Sequence, residues 1–74
     1  MPLSASVLNS LSRRFSKKGL VDVSDSFAIA AACARRSDIV GRERWIDAAL
    51  EKLSKHSVPV PASIFTAYLR DLAA

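Results

Sequence analysis

Seventy-four residues, half of them hydrophobic, make one small domain. A chain this short buries only about 60–65% of its unfolded surface. One cysteine, Cys33, excludes an internal disulfide, and with one histidine, His56, it cannot build a four-ligand structural zinc site, so stability rests on helix packing or on a partner. Of eleven Lys and Arg, four (Arg13, Arg14, Lys17, Lys18) precede the first acid, Asp22, and the other seven cancel the seven Asp and Glu, so the net +4 lies in an acid-free arm.

The first element is a helix from about Ser4 to Lys18, with Ser4 as N-cap and Gly19 as its stop. Val7, Leu11 and Phe15 share one face, and Arg13 and Lys17 lie opposite. Leu20–Val23 alternates like a strand but is too short to form a sheet, and it reads as an extended connector. Ser24 or Asp25 would then cap a second helix, Ser26 to about Arg36. Its centre, Phe27–Ala34, is the longest apolar run, far short of the roughly 18–20 residues of a membrane span. With no polar face, this helix is expected to be buried on all sides.

Ser37 and Asp38 offer the next N-cap, for a third helix from about Ile39 to Lys55. Ile39, Ile46, Ala49, Leu50 and Leu53 form its apolar stripe, with Trp45 at the margin and Glu43, Asp47 and Glu51 opposite. Gly41 weakens its first turn by about 1 kcal/mol relative to alanine. Pro59 and Pro61 keep residues 56–61 extended, and Pro61 suits the start of a fourth helix, Ala62 to Leu72. Ile64, Phe65, Tyr68, Leu69 and Leu72 share its face. The fold expected is all-α: four antiparallel helices in a short, α-solenoid-like array of helical hairpins. Residues 1–19 form a basic amphipathic helix and candidate import segment, and residues 20–74 the body of a single domain.

Val21, Val23 and Ser26 match Val58, Val60 and Ser63 at an offset of 37 residues. A period in this range, built from two helices, is the mark of a helical-hairpin repeat. Phe27, Ala32, Cys33, Ala34, Arg35, Ser37, Asp38, Glu43, Arg44 and Trp45 resemble the first helix, turn and second-helix start of organellar pentatricopeptide-type repeats. The period is closer to that of the related octotricopeptide-like repeats. The resemblance implies a helical-hairpin architecture and an organellar, RNA-related setting. Ala28 lies close to the place where such a repeat carries a base-reading polar residue, and alanine cannot read a base, so specific RNA reading is not implied.

An acid-free, Arg- and Ser-rich amphipathic arm fits phosphate contact or organellar import, and one arm can serve both. Arg13, Arg14, Lys17 and Lys18 are therefore candidate nucleic-acid contacts. So are Arg35, Arg36, Arg42 and Arg44, which flank the turn between the second and third helices, although helix-end complementarity explains these equally well. Trp45, Phe65, Tyr68 and Leu72 are candidate anchors for a protein partner. Cys33, in an alanine-rich helix, reads as a small hydrophobe, and His56 as a helix-terminal residue. The third helix opens on Ile39, Val40 and Gly41, a poor start for a DNA recognition helix.

No catalytic set, metal spacing, cofactor motif or small-molecule site is expected. The first functional expectation is a non-enzymatic subunit of an organellar ribonucleoprotein, with a mitochondrial ribosome foremost, touching rRNA through basic residues and protein neighbours through apolar faces. The alternatives are an accessory subunit of a mitochondrial respiratory or ATP synthase complex and a small protein-binding regulator or inhibitor, with a cytoplasmic location as the alternative setting. Val7, Leu11 and Phe15 also supply the face that Phe27–Ala34 requires, so the arm is expected to remain as an ordered helix.

Overall fold

The computed structural model describes residues 3–66 and is helical throughout its regular structure, with no strand among these residues. Helices α1 (Ala5–Lys17), α2 (Val21–Arg35) and α3 (Ile39–Lys55) are followed by a further helical stretch over residues 62–66. Tyr68, Leu69 and Leu72 lie outside the described residues. α1 packs on α2 and α2 on α3, so α2 is the helix the other two share. Residues 62–66 return to α1: Ser63 lines a groove with Val7, Ser10, Leu11 and Arg14, and Ile64 is fully buried.

The starts of α1 and α3 follow from side-chain caps. Ser4 accepts from the Val7 N–H at 3.4 Å and Asp38 from the Gly41 N–H at 3.0 Å. The ends share one device. The N–H of Leu20 reaches the Phe15 carbonyl at 3.0 Å, that of Asp38 the Cys33 carbonyl at 2.9 Å, and that of Val58 the Leu53 carbonyl at 3.0 Å. Each closure places a left-handed residue before it: Gly19 (φ 79°), Ser37 (φ 59°) and Ser57 (φ 57°). Glycine adopts that region freely, whereas the two serines adopt it at a steric cost.

The second helix departs from expectation. Leu20–Val23 is not an extended connector: α2 begins at Val21, and its N-cap, Leu20, makes no side-chain cap bond. Ser24 and Asp25 are interior to the helix, not caps. The cause is the closure of α1, which turns the chain within three residues, and the absence of any proline between Gly19 and Phe27. Val23, Ser26, Phe27, Ala30 and Ala31 then fall on one helical stripe, and all are buried. Nor is α2 buried on every side, since Ala28 is exposed and Ile29 is 38% exposed. The helix has neighbours on α1 and α3, and its remaining face meets solvent.

The core joins Leu3, Leu8, Leu11 and Phe15 to Val23, Phe27, Ile46, Ala49, Leu53 and Ile64. Phe15 stacks on Phe27 with ring centroids 5.8 Å apart and planes 15° from parallel. Serines bring α1 and α2 together. The Ser24 hydroxyl donates to the Ser12 carbonyl at 2.8 Å, and the Ser12 hydroxyl donates to the Ser24 carbonyl at 2.9 Å. Between α2 and α3, the Lys52 ammonium donates to the buried Ser26 hydroxyl at 2.7 Å, and that hydroxyl donates in turn to the Asp22 carbonyl at 3.1 Å.

Gly41 has a packing reason to be there. A Cβ at this position would stand 2.9 Å from Cγ of the capping Asp38 and 3.0 Å from Cys33 Sγ. Helix propensity alone would make Gly41→Ala stabilising by about 1 kcal/mol. Displacing the cap costs about the same again or more, and the thiol is crowded as well. Gly41→Ala is expected to lower stability by about 1 kcal/mol, read as a lower urea midpoint at unchanged slope. A midpoint above wild type would show that the cap moves freely.

Candidate nucleic-acid interface

Arg13, Arg14, Lys17 and Lys18 lie along the outer side of α1 and its C-cap, and all are exposed. Two of the charges lie over the core: Arg14 Cζ sits 5.9 Å and Lys18 Nζ 6.0 Å from the centroid of the Phe15 ring, within cation–π range, while both residues remain exposed. α1 has no acid in its first turn and two basic residues, Arg14 and Lys17, in its last.

At the turn between α2 and α3, Arg35, Arg36 and Arg44 are exposed. Arg36 also donates to Cys33 Sγ at 3.7 Å. Arg42 differs: it is 9% exposed, lies on the inward stripe of α3 with Ile46, Ala49 and Leu53, and pairs with Glu43 at 2.7 Å. Among the described residues, Arg42 alone of the eight candidate nucleic-acid cations forms an ion pair with a carboxylate. The two basic groups also meet. Arg13 of α1 and Arg35 of α2 line one cleft, which their distance in sequence does not reveal.

The opposite end of α2 holds a different arrangement. Asp22 in its first turn accepts from His56, the C-cap of α3, with Nε2 3.1 Å from the nearer carboxylate oxygen. The hydrogen bond to His56 is the main cause holding the Asp22 carboxyl below its ordinary 3.8. A depressed carboxylate adds stability that is present above pH 3.8 and is lost as pH falls through the lowered folded value. Both groups are well exposed, so the effect is small and salt-sensitive. His56→Ala is expected to return the Asp22 titration, followed by carboxyl NMR, toward the ordinary carboxylate range. An unmoved titration would remove His56 as the cause. Lys55 and Glu51, 3.9 Å apart and largely in solvent, contribute little.

Of the candidate protein anchors, Trp45 is half-buried against the core and Phe65 is 58% exposed. Tyr68 and Leu72 fall outside the described residues. Val21, Ile39, Val40 and Val60 are further exposed apolar side chains. A cavity of about 270 Å³ lies beside Ile39, lined chiefly by Leu3, Ala5, Ala34 and the Arg42 stem. No helix among the described residues is long and apolar enough to cross a membrane.

Fold and surface together define a small all-helical chain whose first helix, α1, is basic and free of acids. No family model, curated protein or solved structure matches it.

Proposed function

We propose that this chain is a non-enzymatic RNA-binding subunit of an organellar ribonucleoprotein, with a mitochondrial ribosome as its first setting. Its helices are read as antiparallel members of a short helical-hairpin array. The register of α2 on α3 supports this: Asp22 reaches His56 and Ser26 reaches Lys52, so a step forward on one helix is an equal step back on the other. The return of residues 62–66 to α1 folds the array back on itself. Protein neighbours would then dock on exposed Val21, Ile39, Val40 and Phe65.

The observation that carries the RNA reading is the unpaired basic face. Among the described residues, Arg13, Arg14, Lys17 and Lys18 have no carboxylate partner and no acid beside them on α1. Their charge is therefore available to phosphates, and the ordered helix fixes its spacing.

The test is the salt dependence of binding to single-stranded RNA. Glutamine should replace all four cations, because it removes the charge while keeping a long polar side chain. If each cation meets a phosphate, the slope of log affinity on log salt should shallow by about three. Ribonuclease should also release the wild-type chain from its native assembly. Unchanged affinity and slope in the glutamine variant would overturn the reading.

A further inference from the structure

The cleft between α1 and α2 is lined mainly by polar side chains. Ser6, Asn9, Ser10 and Arg13 follow one another on a single face of α1, and Arg35 reaches the same space from the last turn of α2. Only Ala5 among the lining residues lacks a hydrogen-bonding side chain, and the volume is about 340 Å³. The cavity beside Ile39 and the groove between α1 and Ser63 are both mainly apolar.

The charge here is uncompensated. Among the described residues neither Arg13 nor Arg35 pairs with a carboxylate. Two guanidiniums gathered from two helices repel each other, and a bound anion converts that repulsion to attraction. The helix dipoles offset each other here, since the first turn of α1 favours an anion while the last turn of α2, where Arg35 sits, favours a cation, so the attraction rests on the two guanidiniums. Each guanidinium offers a planar fork, and the hydroxyls and amide offer neutral donors between them. This set suits an oxyanion that accepts from several directions at once.

We propose that this cleft is a phosphate site that seats one backbone phosphodiester of RNA, with Arg13 and Arg35 as its two charged jaws and Ser6, Asn9 and Ser10 as neutral donors. The proposal rests on the RNA-binding reading above and deepens it, because it places one contact in a built cleft instead of spreading attraction over the basic surface.

Two charge-matched double variants separate these cases. Arg13→Gln with Arg35→Gln empties the cleft of charge. Lys17→Gln with Arg44→Gln removes the same charge from exposed positions outside the cleft's lining. Far-UV circular dichroism confirms that both fold, and the probe is a short single-stranded oligoribonucleotide titrated at several salt concentrations. The cleft variant should bind at least about tenfold more weakly than the control variant. Ser10→Ala, which leaves the charge intact, should weaken binding about threefold. Arg13→Lys with Arg35→Lys should not restore full affinity, because lysine lacks the fork.

Equal losses in the two double variants would overturn the cleft and leave the RNA reading standing, as generic surface attraction. No binding of the oligoribonucleotide by wild type, with retention on vesicles of anionic phospholipid instead, would overturn both.

Discussion

Phe27→Ala is expected to unfold most of the isolated chain at room temperature. Phe27 is fully buried at the middle of α2, where it meets the Phe15 ring of α1, and α3 packs on the same helix. Truncating such a residue costs about 3–5 kcal/mol in lost transfer energy and cavity formation. A domain of this size seldom has more than about 3–5 kcal/mol in total. The loss thus consumes nearly all the stability there is. Thermal melting followed by circular dichroism should show a broad, weak transition near or below room temperature. Ile29→Ala on the same helix, at a position 38% exposed, should cost under about 1 kcal/mol. Comparable losses at the two positions would mean that α2 is not the central helix. Native partners that bind only the folded state would restore Phe27→Ala in proportion to their concentration over their dissociation constant.

What the sequence reveals of this fold depends on how local the cause is. Ser4, Gly19 and Asp38 act within one turn of themselves, and the bounds they announce for α1 and α3 agree with the structure. The all-helical class follows as well, from apolar periods that need no partner to be visible. The start of α2 is obscure because Leu20–Val23 satisfies a period of two as well as a helical stripe. The decision falls to the Leu20 N–H closing on the Phe15 carbonyl, a backbone bond with no residue signature beyond Gly19. Arg42 shows the opposite difficulty. It sits among arginines in sequence, but its place on the stripe of Ile46, Ala49 and Leu53 draws its stem inward. The cleft of Arg13 and Arg35 is harder still, since it exists only once α1 lies on α2. Serines in a basic arm read as targeting composition, and only the packing assigns Ser12 to a helix contact and Ser6 and Ser10 to a cleft.

That serine contact is the second place where a single change should have a large effect. Ser12 and Ser24 bond to each other's backbone carbonyls, and their hydroxyl oxygens are 3.1 Å apart, so the helices meet where only a small side chain fits. Ser24→Leu inserts a branched side chain at that meeting and removes the hydroxyl. Overpacking costs about 1–3 kcal/mol, and each lost hydrogen bond about 1 kcal/mol more. A loss of about 3 kcal/mol is expected, against about 1 kcal/mol for Ser24→Ala, with a Ser12→Ala, Ser24→Ala cycle giving a coupling of at least about 0.5 kcal/mol. Limited proteolysis should find new cleavage in α1 of Ser24→Leu, because the displaced helix is too short to persist alone. This variant keeps every charge of the arm while loosening the helix that orders it. If RNA is held by an ordered basic face, affinity should fall although net charge is unchanged. If affinity holds while α1 becomes cleavable, the arm acts as a flexible polycation, and its order in the fold has another purpose.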